Sequence, residues 1–222
     1  MYEAIRLPDL MLVTGVSRID VLSARLAASP CLQRGGLPWV AHFNCDSAAK
    51  AFNATLDSRP RADWLVWVHQ DVFLPDGWDS RFAASLRDAQ FKFPNLAVAG
   101  VYGISGAGRS AVRAGHVLDR GQLLKEPAAL PCPVNSLDEL LLAVRVDSPL
   151  RMDPALGFDF YATDLVLQAQ EAGLASVVVD AYCEHWSDTP SSGPMPRELF
   201  ERVKANGHAF ELKWAHRLPL ST

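Results

Sequence analysis

"WLVWVHQDVFLPDGWD", residues 64–79, decides how this chain is read: five apolar residues run directly into His69, Gln70 and Asp71, and a Pro75-Asp76-Gly77 turn follows. An uninterrupted apolar run of this length, bounded by a turn signal, predicts a strand covered on both faces, as in parallel sheets. Upstream, "DLMLVTGVS" (residues 9–17) predicts a first strand, and "SRIDVLSARLAASP" places Ile19, Leu22 and Leu26 at helical spacing before a stop at Ser29-Pro30. "WVAHFN" (39–44) predicts a second strand. "CDSAAKAFNATLDS" predicts a helix capped by Asp46 or Ser47, with Ala49, Phe52 and Leu56 on one face. The first seventy residues therefore alternate strand, helix, strand, helix, strand, the order of an α/β sheet with mainly parallel strands.

Downstream, "WDSRFAASLRDAQ" predicts a helix and "NLAVAGVYGI" (95–104) a strand, while residues 113–133 are turn-rich and predicted irregular. "LDELLLAVRV" (137–146) fits strand or helix by length, and its Val-Arg-Val end favours strand. "FDFYATDLVLQAQEAGL" predicts a helix capped by Thr163 and stopped at Gly173, and "ASVVVDAYCEHWS" a last strand ending at Glu184-His185. A Pro- and Ser-rich tail begins at Asp188, and "RELFERVKANGHAFELKWAHRL" predicts a closing helix.

With 222 residues, 49% hydrophobic and 21% charged, the chain has ordinary globular composition and can bury a substantial core in one domain. A net charge of −4 argues against nucleic acid as partner, which selects a basic surface. Cys31, Cys45, Cys132 and Cys183 have no CxxC spacing, so neither a zinc site nor a disulfide framework is expected. No apolar stretch is long enough for an integral membrane segment and no signal peptide is legible, so the chain is expected to be soluble and cytoplasmic.

Ligands of open α/β sheets bind at the carboxyl ends of the strands. There the predicted elements place Thr14 and Gly15 after the first strand, Asn44 after the second, His69, Gln70 and Asp71 after the third, and His185 after the last. A carboxylate directly behind a doubly covered strand is costly unless paired or metal-bound. A hard divalent cation, Mn²⁺ or Mg²⁺, would satisfy Asp71, and His185 could add a nitrogen, which Mn²⁺ accepts more readily than Mg²⁺. The bland alternative is that Asp71 caps the turn and His185 is an interfacial histidine.

"VHQDVFLPDGW" resembles the strand-end signature of the bacterial glycosyltransferase-like families of the GT-A fold, in which a DxD-type motif closes a strand of the nucleotide-sugar domain. "SAAKAFNATLD", "LAVAGVYG", "LGFDFYATDLVLQAQEAGL" and "CEHWS" extend the resemblance over nearly the whole chain. It implies a three-layer α/β/α sandwich in one domain: a nucleotide-binding half (1–110), an acceptor-side half (111–187) and a C-terminal tail and helix (188–222). The implied activity is sugar transfer from a nucleotide-diphosphate donor to a carbohydrate-like acceptor with Mn²⁺ or Mg²⁺.

On that resemblance Asp71 takes the place of the metal-binding last Asp of the motif and His185 that of a late metal-ligating histidine. His69 stands where the first Asp would be, a departure from the pattern. Asp164, or Asp159 beside it, would activate the acceptor hydroxyl, although Asp164 could instead complement the helix dipole. Thr14, Gly15, Asn44, Asn53, His69 and Gln70 would serve the nucleotide sugar, Lys213 and Trp214 the donor phosphates, and Asp138 and Glu139 the acceptor side. The alternatives are a catalytically inactive nucleotide-sugar-binding protein on the same scaffold, or a metal-dependent phosphohydrolase.

Overall fold

A computed structural model describes residues 6–106, 108–187 and 196–218; the Pro- and Ser-rich segment read after Asp188 lies outside them up to residue 195. In chain order the strands are β1 Leu10–Val16, β2 Trp39–Phe43, β3 Trp64–Val68, β4 Val72–Phe73, β5 Leu96–Gly100, β6 Tyr102–Ser105, β7 Val112–Asp119, β8 Gln122–Lys125, β9 Cys132–Pro133, β10 Ser136–Leu137, β11 Leu141–Arg145, β12 Ala175–Val178 and β13 Cys183–His185. The helices are α1 Ile19–Ala24, α2 Pro30–Gln33, α3 Ala48–Asp57, α4 Trp78–Lys92, α5 Tyr161–Glu171 and α6 Arg197–Trp214.

Seven strands form the central sheet in the order β2-β1-β3-β11-β5-β12-β9. β1 runs parallel to β2 and β3, β12 parallel to β5, and β11 lies antiparallel between β3 and β5, so the sheet is mainly parallel. The apolar run of β3 is explained by its two faces. Trp64, Val66 and Val68 pack with Leu22, Trp78, Phe82 and Leu86 on one side. Leu65 and Trp67 pack with Phe52, Leu142, Tyr161 and Leu165 on the other. Alternate residues of a strand point to opposite faces, and here helices cover both, giving three α/β/α layers.

Local chemistry sets the helix ends. Ser47 caps α3 by accepting from the Lys50 amide at 3.1 Å. Gly77 adopts φ +70° at the N-cap of α4, and the Trp78 amide closes the turn onto Pro75 O at 3.0 Å. Thr163 is not the cap of α5. The helix starts at Tyr161 after Phe160, itself at φ +64°, and the Thr163 hydroxyl pairs with Ser136 Oγ at 2.8 Å. Pro30 opens α2 rather than stopping a long helix, because a proline at N1 costs no backbone hydrogen bond.

A second sheet, β10-β6-β7-β13-β4 with β8 beside β7, stands at the carboxyl edge of the first. Two expected single strands are split to build it: β5 hands over to β6 after Gly100, and β12 to β13 after Val178. The first part of the segment predicted irregular is instead the hairpin β7–β8, closed by Arg120 and Gly121, both at positive φ, as a two-residue hairpin turn requires, while residues 126–131 carry no helix or strand. Within residues 137–146 the strand is β11, Leu141–Arg145, as the Val-Arg-Val end indicated, while Leu137 belongs to β10.

Candidate active site

Behind β3 the chain turns sharply, with the Val72 amide bonded to His69 O at 3.2 Å, and Asp71 sits inside the turn. Strand pairing then delivers the partners. β4 pairs antiparallel with β13, placing His185 opposite Val72, and the Trp186 amide bonds Asp71 O at 2.9 Å. β13 pairs parallel with β7, placing Asp119 opposite His185. Three segments distant in sequence are thereby registered side by side at the mouth of the central sheet.

His69, Asp71 and His185 each offer a ligand atom, and all three atoms lie within 4.8 Å of one another. His185 Nδ1 is 2.8 Å from Asp119 Oδ1, and its Nε2 is 3.4 Å from Asp71 Oδ1. A carboxylate only accepts, so Nδ1 carries the proton it gives to Asp119. In the neutral ring Nε2 then turns a lone pair toward the Asp71 carboxylate. Two electron-rich atoms at that distance need a cation between them: a proton on Nε2 or a metal ion. Burial would depress the His185 pKa, but Asp71 and Asp119 outweigh it and raise it. Asp71 mirrors this: burial pushes its pKa up, and the His185 hydrogen bond and charge bring it below the usual carboxylate value.

His69 is held from behind. Its Nε2 lies 2.8 Å from the Tyr161 hydroxyl, which also accepts from Trp67 Nε1 at 2.9 Å and donates to the Glu139 carbonyl at 3.1 Å. With the hydroxyl hydrogen committed to that carbonyl, His69 Nε2 is the donor, and Nδ1 is left with a lone pair for a cation. Burial, with the neighbouring His185 charge, lowers the His69 pKa to about 4, so the ring is neutral at physiological pH. Two neutral imidazole nitrogens and one carboxylate form a donor set that suits Mn²⁺ better than Mg²⁺.

Two clefts meet at His69. The first, about 430 Å³, is lined by Gly15, Ser17, Asn44, Gln70 and Asp71 at the strand ends, together with Phe158 and Arg202. Trp67 floors it, and a Cβ at Gly15 would lie 3.1 Å from the Trp67 ring. Gln70 locks the rim: its Oε1 accepts from the Ser17 and Arg18 amides at 3.2 and 3.0 Å, and its Nε2 donates to Ser17 Oγ at 2.9 Å. The second cleft, about 500 Å³, is lined by Asp119, Asp138, Glu139 and Asp159. Glu139 Oε1 is buried without a hydrogen-bond partner, and burial with the Asp138 and Asp159 charges raises its pKa well above the usual carboxylate value.

Five of the other residues singled out in the sequence line neither cleft. Thr14 is fully buried inside β1. Asn53 holds the segment before α5, bonding Met152 O at 2.8 Å and the Met152 amide at 3.1 Å. Asp164 is 0% exposed, sealed under α6 by Trp214 Nε1 at 2.8 Å and Lys213 Nζ at 2.7 Å, with Gln168 Nε2 of its own helix at 2.6 Å. Lys213 also bonds Asp153 at 2.7 Å, so Lys213 and Trp214 fasten α6 to the body rather than line either cleft. Asp159 does face the second cleft, gripped by Arg202 and Asn206. Sequence reasoning missed Asp119 and Arg202. Asp119 had one available signal, the Asp-Arg-Gly turn that ends β7.

The architecture defines the class: the chain has the GT-A-type glycosyltransferase fold. It is similar to a mannosyltransferase from Pyrobaculum calidifontis in complex with GDP-Man and Mn²⁺, with TM-score 0.50 and 9% identity over 97% of this chain and 77% of that one. It is also similar to GalNAc-T7 with UDP, GalNAc and Mn²⁺, with TM-score 0.54 and 10% identity over 95% of this chain and 51% of that one. A curated relative, the "ATP synthase subunits region ORF 6" protein of Fuscovulum blasticum, is 31% identical over 140 residues, 58% of this chain. The chain matches about half the length of that relative, 53%. No protein-family model matches the chain. Among the described residues no helix is long and apolar enough to cross a membrane, and all four cysteines are free.

Proposed function

We propose that this protein transfers a sugar from a nucleotide-diphosphate donor in the first cleft to a hydroxyl acceptor in the second, with Mn²⁺, or less favourably Mg²⁺, held by His69, Asp71 and His185. The observation that carries the reading is the convergence of those three side chains within 4.8 Å where the two clefts meet. When bound, the cation would supply Lewis-acid neutralisation of the departing diphosphate.

The chain's own residues would do the rest. Gly15 and Asn44 leave room at the strand ends for the nucleotide, and Gln70 keeps that rim rigid. Asp138, Glu139 and Asp159 face the acceptor. Asp159 is better placed than Asp164 to take the hydroxyl proton, because it lines the cleft while Asp164 is enclosed. In the transfer the acceptor oxygen bonds to the anomeric carbon, the bond from that carbon to the diphosphate breaks, the hydroxyl proton goes to the carboxylate, and the nucleoside diphosphate leaves.

Calorimetry of UDP and GDP binding with and without Mn²⁺ tests this. Binding should require Mn²⁺ in the wild type and lose that requirement, with most of its affinity, in Asp71→Ala. Nucleotide binding indifferent to both metal and mutation would remove the site assignment. Release of phosphate from these nucleotides regardless of acceptor would replace transfer with phosphohydrolysis.

A further inference from the structure

Arg202, in the second turn of α6, is the one arginine or lysine lining the first cleft among the described residues, and Asp71 lines the same cleft. It is half exposed at 49%, yet its guanidinium is already engaged: Nε and Nη2 reach the two oxygens of Asp159 at 3.0 and 3.1 Å. Asp159 is only 13% exposed and belongs to the wall of the second cleft. This ion pair therefore spans the two clefts, its cation lining one and its anion the other.

We propose that Arg202 is a phosphate-binding residue and that its pairing with Asp159 is an exchangeable latch: a nucleoside diphosphate in the first cleft draws Arg202 off Asp159, and the freed carboxylate is exposed to the second. The inference rests on the donor reading above. Three features favour the exchange chemically. A guanidinium fork binds phosphate oxygens with the same two-pronged geometry it uses for a carboxylate, so the swap conserves hydrogen bonds. Asn206 Nδ2 stays on Asp159 Oδ2 at 2.7 Å, so the freed carboxylate keeps one partner and its orientation. The backbone need not move, because α6 is anchored independently at its other end by Trp214 and Lys213 and by the stacking of Phe210 on Phe160 at 5.4 Å. Side-chain rotation of one arginine is enough to exchange its partner from Asp159 to a phosphate.

The test is calorimetry of UDP and GDP at saturating Mn²⁺ for the wild type, Arg202→Ala, Arg202→Lys and Asp159→Asn, with Mn²⁺ alone titrated as a control on the metal centre. Arg202→Ala should weaken nucleoside diphosphate binding by about tenfold or more, and Arg202→Lys should recover part of it, as expected for loss and partial return of charge-assisted bonds. Asp159→Asn, which relieves Arg202 of its internal competitor, should tighten binding by about threefold or more. A purely structural ion pair would make Asp159→Asn neutral or weaker. Wild-type binding that Arg202→Ala leaves unchanged overturns the inference alone, as does an Asp159→Asn variant that binds no more tightly. Failure of the wild type to bind either nucleotide overturns the donor reading and this inference with it.

Discussion

Replacing Asp119 by Ala should weaken Mn²⁺ binding by about 10- to 100-fold although Asp119 is not itself a proposed ligand. The magnitude follows from the geometry. His185 and Asp119 share a 2.8 Å charge-assisted bond with side chains only 16% and 21% exposed, so solvent competes weakly for it. Such a bond contributes about 1.5–3 kcal/mol, and a loss of that size corresponds to the same one to two decades in affinity. Without Asp119 the ring can adopt the other tautomer, placing the proton on Nε2 where the lone pair is needed. Asp119→Asn should fall between, since its amide oxygen still accepts from Nδ1–H but without the charge. Electron paramagnetic resonance titration of free Mn²⁺ reads the affinity directly. Binding by Asp119→Ala within about twofold of wild type would refute the proposed orientation of His185.

Three further outcomes follow from the same contacts. Tyr161→Phe strands Trp67 Nε1 and His69 Nε2 without their shared partner, and should cost about 1–3 kcal/mol in chemical denaturation together with weaker Mn²⁺ binding. Asp164→Ala removes a buried carboxylate from Trp214, Gln168 and Lys213 and should cost about 3 kcal/mol, the low end for such pairs because Lys213 keeps Asp153. If Asp164 acts structurally, turnover per folded molecule should survive that change and fall in Asp159→Asn. The pH dependence has a definite sign. His185, with its folded pKa raised above 6.5, contributes stability that is full below 6.5 and lost as pH rises through the folded value. Asp71, with its folded pKa lowered below 3.8, contributes stability that is full above 3.8 and lost as pH falls through its folded value. Mn²⁺ must displace the His185 proton, so Mn²⁺-induced thermal stabilisation should be small near pH 5.5 and grow toward pH 8; a shift independent of pH would contradict it.

The sheet was legible because its central strands carry their own signal. A run such as Trp64–Val68 can be buried on both faces only between helices, and its abrupt end in His69-Gln70-Asp71 marks the carboxyl edge. The hairpin β7–β8 was obscured by half-exposed strands, whose alternation is weak, although Arg120-Gly121 is a competent turn. Asp119 was hidden for a different reason. Its relation to His185, 66 residues away, exists only through the register of β7 and β13. Asp164 shows the converse failure: helical periodicity places it in the first turn of α5, yet its burial depends on α6 closing over it. Arg202 looks like any charge on a surface helix until Asp159 and the cleft are beside it.

The most direct measurement is electron spin-echo envelope modulation of Mn²⁺ bound to the wild-type protein together with UDP or GDP, repeated on His69→Ala and His185→Ala. The expected result is nitrogen coupling from two imidazoles and phosphorus coupling from the diphosphate, with each substitution removing one nitrogen contribution. A spectrum with phosphorus coupling but no histidine nitrogen would contradict a metal centre built from His69, Asp71 and His185.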